Sequence, residues 1–219
     1  MHYTGMRTAE EALERLCEAQ AKVSAHYLVE ENGVVHALVD EKDCAWHAGL
    51  SFWRGQRNVN PVSIGIEIVN PGHEWGYRAF PEEQMKAVAE LAAGIVQRHK
   101  IAPRDVVAHS DIAPQRKEDP GELFNWAWLA RQGVGAWPGK RGRGAEKERV
   151  LKSGDASEAV LKMQHDLAEY GYDVPQNGQF DEVTHKVVIA FQRHFRPADI
   201  RGSWDEASEA ALAGLLGMR

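Results

Sequence analysis

Residues 63–69 read Ser63-Ile-Gly-Ile-Glu-Ile-Val69, a strict alternation with Ile64, Ile66 and Ile68 on one face and Gly65, Glu67 and Val69 on the other. Successive side chains of a strand point to opposite faces, so the stretch predicts a strand with one apolar face and a carboxylate on the other. Downstream, Pro81 to Lys100 sets Met85, Val88, Leu91, Ala92, Ile95 and Val96 at helical spacing, which predicts a long amphipathic helix. Val106-Val107-Ala108 then reads as a short strand that delivers His109 at its end. Upstream, Asn32-Gly33 lies between His26-Tyr-Leu-Val29 and Val34-Val-His-Ala-Leu-Val39, a strong hairpin signal. Thr8-Ala-Glu-Glu11 has the form of a capping box opening a helix with Ala12, Leu13 and Leu16 on its inner face. Strands and helices mixed in this way predict an α/β fold, a mixed β-sheet flanked by helices.

Charge divides the chain. Residues 1–138 carry a net charge of −5 and residues 150–219 a net charge of −4, while Gly139–Arg149 (GKRGRGAEKER) carries +3. That Gly-rich basic stretch has no large apolar residue and reads as a solvated linker between two domains, 1–138 and 150–219. The second domain reads as three short helices. Asp155-Ala-Ser-Glu158 caps the first, which buries Val160, Leu161, Gln164 and Leu167 and stops at Gly171. The second turns Val183, Val187, Val188, Phe191 and Phe195 inward, and the third runs from about Asp205 through Leu212, Leu215 and Leu216. Roughly 70 residues suffice for a small helical domain.

Composition excludes several classes. Of 219 residues, 43% are hydrophobic and 26% charged, which is ordinary globular usage. No apolar run approaches the ~18–20 residues that span a bilayer. A net charge of −6 opposes nucleic acid and anionic lipid as partners. Cys17 and Cys44 are too few for a disulfide scaffold and read as free thiols. The ten histidines are unusual, and seven of them precede the linker.

A hydrolytic zinc site takes three protein ligands and keeps one position open for water. The first segment offers His2, His26, His36, His47, His73, His99 and His109, with Asp111 and Asp119, and spacing alone does not choose among them. No H-E-x-x-H occurs. Three contexts stand out: His2-Tyr-Thr4, where a first strand hands over to the capped helix; His109 at a strand end; and Asp119 ten residues on, before a Pro-Gly turn.

Seven motifs occur in order: H-Y-T (2–4), S-A-H-Y-L-V (24–29), A-W-H-A-G (45–49), W-R-G (53–55), S-I-G-I-E (63–67), A-H-S-D-I (108–112) and K-E-D-P-G (117–121). Together they resemble the zinc-dependent N-acetylmuramoyl-L-alanine amidases of the AmpD/AmiD kind, the amidase-2 family related to peptidoglycan-recognition proteins. The likeness covers nearly all of residues 1–138. Residues 150–219, with L-K-S-G-D (151–155), V-L-K-M-Q (160–164), Y-G-Y (170–172), G-Q-F-D (178–181) and A-F-Q-R (190–193), resemble the helical peptidoglycan-binding domain often joined to such amidases. The approach to the third helix, Pro197 to Trp204, is less regular than that family's glycine turn.

The resemblance implies His2, His109 and Asp119 as ligands of one zinc ion per chain, Glu67 as the catalytic carboxylate and Lys117 as a cationic stabiliser. His26 and His47 would line the pocket or support the ligands, because a fourth protein ligand would close the water position. Trp46, Trp53, Arg54 and Asn60 would shape the substrate groove, with simple core packing the alternative for the two tryptophans. The implied activity is cleavage of the amide between N-acetylmuramic acid and L-alanine in peptidoglycan or muropeptides, by a monomer whose helical domain holds it on murein. Two rivals are a non-catalytic muropeptide-binding protein, which needs no open metal site, and a zinc endopeptidase acting on the stem peptide. In the family the first histidine follows several strand residues, whereas here only Met1 precedes His2. The reading therefore leaves two locations open: the cell envelope if a segment is missing upstream, and the cytoplasm if the chain starts as given.

Overall fold

A computed structural model describes residues 1–139 and 150–218. Apart from Gly139, the stretch read as a linker lies outside the described residues.

The alternating stretch is a central strand. In chain order the first segment contains β1 (His2–Tyr3), α1 (Ala9–Cys17), β2 (Tyr27–Val29), β3 (Val35–Ala37), β4 (Phe52–Trp53), β5 (Gln56–Arg57) and β6 (Ile66–Ile68). There follow α2 (Gly72–Trp75), α3 (Glu82–His99), α4 (His109–Ile112) and α5 (Trp126–Arg131). The main sheet has the order β1-β6-β2-β3, with β6 parallel to both neighbours and β2 antiparallel to β3. The sheet is mixed, as the sequence predicts. Gly33 closes the β2–β3 hairpin at φ +85°, where a Cβ would be strained, and the Asn32 carboxamide accepts from the Val34 amide.

Ile66 and Ile68 pack with Met85, Val88, Ala92 and Ile95 of α3 in one apolar cluster. Gln84 joins helix to sheet: its buried side-chain amide donates to the carbonyls of Val29 (3.1 Å) and Val69 (2.8 Å). On the far side, Ala12 of α1 is buried with Leu28 and Val69, and Leu13 and Leu16 pack against them. Thr8 caps α1 by accepting from the Glu11 amide, while Glu11 returns to the Arg7 amide instead of closing the box on Thr8.

Val106–Ala108 is extended but forms no strand, and His109 is the first residue of α4. The segment runs beside Met1, whose amine donates to the Val107 carbonyl and whose carbonyl accepts from the His109 amide. With those two bonds as its ladder, it is held beside β1 without becoming a sheet member.

Three helices make up the second segment: α6 (Glu158–Tyr170), α7 (Glu182–Phe195) and α8 (Glu206–Leu216). Ser157, not Asp155, caps α6; Asp155 accepts from the Lys152 amide in the preceding turn. Val183 is 38% exposed, whereas Val187, Val188, Phe191 and Phe195 are buried. Their core is shared: Ala48, Trp53, Val59, Ile112 and Ala113 of the first segment belong to the same apolar cluster as Val160, Leu167, Tyr172, Phe191 and Leu212. The helices are packed against the sheet domain.

Candidate active site

His2 and Glu67 stand directly opposite each other in the parallel pairing of β1 with β6. Residues so paired point to the same face, so the sheet itself brings an imidazole and a carboxylate together on the side away from α3. His109 enters from α4, and Asp119 from the loop beyond it, where the Asp119 carbonyl accepts from the Ser110 amide. All three side chains are buried: His2, His109 and Asp119 are 3%, 4% and 6% exposed. Nδ1 of His2 lies 2.9 Å from Nδ1 of His109, and one Asp119 oxygen lies 3.1 and 3.0 Å from the two.

The outer nitrogens define what those inner atoms carry. Nε2 of His109 donates to the Ala48 carbonyl (3.1 Å), so its Nδ1 holds a lone pair. The Ser63 hydroxyl donates to the Val59 carbonyl and so accepts from Nε2 of His47; Nδ1 of His47 then accepts from Nε2 of His2. That leaves a lone pair on Nδ1 of His2 as well. Two imidazole lone pairs and a carboxylate oxygen therefore converge within hydrogen-bond distance with no proton between them. Such an arrangement is repulsive unless a cation sits among them, and two histidines with one carboxylate form a metal-binding donor set.

Burial dominates the electrostatics of the site. Burial drives the His2 pKa well below its ordinary value. Burial also lowers His47, to about 3, so the relay from His2 to Ser63 is neutral. Burial first, then the nearby Asp119 charge, push Glu67 up to about 8, with Lys117 acting in the opposite direction. Oε2 of Glu67 is buried without a hydrogen-bond partner.

The remaining predicted residues support the donors or line the cavity beside them. His47 lies over Gly65, where any Cβ would collide with its ring. Asn60 accepts from the His47 (3.1 Å) and Ala48 (2.7 Å) amides, fixing the segment that supports both histidine donors. His26 is fully buried, accepting from the Gly65 amide and donating to the Asp43 carbonyl, both bonds within the scaffold. Trp46 is 56% exposed beside His47. Trp53 and Arg54 line one cavity with His2, His47 and His109 and are tied to the helical segment: both donate to Asp105, Trp53 stands edge-on to Tyr170 and Tyr172, and the Arg54 amide donates to the Gly171 carbonyl. They build the contact with the helices.

Sequence reasoning gave no role to Arg116, which donates to the Ala48 and Leu50 carbonyls. Nor did it give one to Tyr172, Arg193 or His194, which reach this region from the helical segment. Asp111 was a candidate ligand, yet its carboxylate is occupied by Tyr172, His194 and the Ala108 amide. Its position three residues after Ala108, at the start of a helix, was the available signal.

Comparison with known proteins accords with this geometry. The family model for N-acetylmuramoyl-L-alanine amidase matches residues 1–122, and that for a peptidoglycan binding domain matches residues 156–212. The chain is 40% identical over 234 aligned residues to N-acetylmuramoyl-L-alanine amidase AmiD of Escherichia coli, covering 99% of this chain and 80% of that protein. It is 39% identical over 108 residues to 1,6-anhydro-N-acetylmuramyl-L-alanine amidase AmpD of Haemophilus influenzae, covering 49% of this chain and 56% of the relative. A solved complex of E. coli AmiD with anhydro-N-acetylmuramic acid-L-Ala-D-gamma-Glu-L-Lys superimposes with a TM-score of 0.82 at 39% identity, covering 98% of this chain and 86% of that one. AmpDh3 from Pseudomonas aeruginosa, in complex with anhydromuramic pentapeptide, gives 0.79 at 30% identity, covering 97% and 88%. The chain therefore belongs to the N-acetylmuramoyl-L-alanine amidase family of hydrolases, with a helical C-terminal region matching a peptidoglycan binding domain.

Proposed function

We propose that the chain hydrolyses the amide joining N-acetylmuramic acid to L-alanine, in peptidoglycan or soluble muropeptides, using one zinc ion per chain held by His2, His109 and Asp119. The observation that carries this reading is the convergence of three lone-pair donors beside the unpartnered Glu67 oxygen. When bound there, zinc supplies Lewis acidity toward the scissile carbonyl and toward water.

The chain's own groups do the rest. Glu67 accepts the proton of the attacking water and passes it to the leaving amine of L-alanine; a carboxyl with a raised proton affinity suits both transfers. Lys117 sets positive charge against the developing oxyanion. His47 and the Ala48 carbonyl fix the two histidine rings, so the donors need no reorganisation. Trp46 offers an exposed aromatic face to the substrate. One chain supplies every group, which supports action as a monomer in wall turnover and recycling, with the helical region holding murein. Among the described residues no helix is long and apolar enough to cross a membrane.

Mass spectrometry of murein digests tests the reading. Free stem peptides that begin at L-alanine are the expected product. Cuts within the peptide would instead make the protein an endopeptidase, and absence of any product would leave it a binding protein.

A further inference from the structure

Arg193 and His194 are consecutive residues near the end of α7, and both are buried. Arg193 donates to Glu118 (3.2 Å) and to Glu122 (3.3 Å), the two carboxylates that bracket Asp119 in sequence. Nδ1 of His194 contacts Asp111 at 2.6 Å, and its ring stacks on Trp126 and on Phe195, each at 3.8 Å between centroids. The other Asp111 oxygen accepts from the Tyr172 hydroxyl at 2.7 Å. Two adjacent side chains of one helix thus grip both segments that carry donors of the candidate metal centre, 109–112 and 118–122.

These segments need external support. A four-residue helix such as α4 cannot sustain itself, since a single turn costs more to order than its hydrogen bonds return. Asp111 is 1% exposed, and a buried carboxylate is tolerated only when it is fully paired. Tyr172 and His194 complete that pairing, and both belong to the helical segment. Removing them would drive Asp111 toward water and carry His109, two residues earlier, with it. Residues that served only to grip murein would face solvent, whereas these face inward.

We propose that the helical segment is a positioning element of the metal centre, with Arg193, His194 and Tyr172 as positioning residues that hold the His109 and Asp119 segments in register. The proposal rests on the reading of His2, His109 and Asp119 as metal donors.

The test uses the full-length chain and two ions, Zn²⁺ titrated against a chromogenic chelator and Co²⁺ read by its visible absorption. Losing support around metal ligands typically weakens binding about 10–100-fold. The double variant Arg193→Met, His194→Phe keeps apolar bulk and removes the polar contacts. It should stay folded by circular dichroism, bind Zn²⁺ at least about tenfold more weakly, and alter the Co²⁺ spectrum. His194→Asn, which restores an N–H near Nδ1, should recover much of the affinity lost in His194→Phe. A folded double variant with wild-type Zn²⁺ affinity and Co²⁺ spectrum overturns the proposal. If the double variant does not fold, Tyr172→Phe decides: a weakened affinity supports the proposal and an unchanged one overturns it. Wild-type protein that binds neither ion would overturn the metal-site reading instead.

Discussion

Nδ1 of His2 and Nδ1 of His109 face each other at 2.9 Å across 107 residues of sequence. With the outer nitrogen of each ring assigned as donor to a support, His47 in one case and the Ala48 carbonyl in the other, both inner nitrogens present lone pairs. The A-W-H-A-G stretch therefore orients both rings from a single loop.

Removing the metal should be both a functional and a thermal event. Chelation should abolish product release and added zinc should restore it. Zinc at 100 times its Kd should stabilise the fold by about 2.7 kcal/mol, read as a higher Tm in calorimetry. Full activity in demetallated protein would exclude the mechanism.

Glu67→Gln separates chemistry from metal binding. The variant should retain one zinc per chain, and kcat on a soluble muropeptide should fall by about 10²–10⁴-fold. Near-wild-type turnover would remove Glu67 from its role.

Lys117→Met tests the oxyanion contribution. A stabiliser that acts in the transition state should cost about 10²–10³-fold in kcat with little change in KM. A change confined to KM would make Lys117 a substrate-binding group only.

Gly65→Ala tests the seat of His47. The added methyl collides with the His47 ring, so overpacking should cost about 1–3 kcal/mol and the displaced ring should loosen zinc. The checks are a denaturant melt and a chelator titration. His47→Ala should share the weaker zinc binding without the overpacking cost.

Glu41 predicts a pH signature far from the site. Its carboxyl is held down to about 2, chiefly by Arg98, with Tyr27 and His99 assisting against burial. A carboxyl depressed on folding contributes stability above its unfolded pKa and loses it as pH falls through the folded one. Glu41→Gln should therefore cost about 1 kcal/mol near neutral pH, and the difference from wild type should vanish between about pH 4.5 and pH 2. Melts at several pH values check it.

The sheet and its covering helix were legible because Ser63–Val69 and Pro81–Lys100 carry unmixed periods of two and of 3.6 residues. His2 opposite Glu67 was less so, since pairing register is a long-range property; the ordered motifs, not spacing, single out His2, His109 and Asp119. Val106–Ala108 has strand composition, but a strand needs a ladder, and its partner contact is limited to Met1. Trp53 and Arg54 sit in a motif shared with the site, yet their partners are Asp105 and Gly171, distant in sequence. The A-F-Q-R stretch identified a helix correctly, but nothing local reveals that Arg193 reaches Glu118 and Glu122.

The core common to Ile112, Trp53, Tyr172 and Phe191 bears on how such a chain can be recombined. A match to an amidase family model followed by a match to a peptidoglycan binding domain suggests interchangeable parts. Here an exchange of the helical segment would leave the buried Asp111 carboxyl without two of its partners unless the incoming unit brought a tyrosine and a histidine to the same two places. A chimera would therefore be viable only if the seam were transplanted with the module.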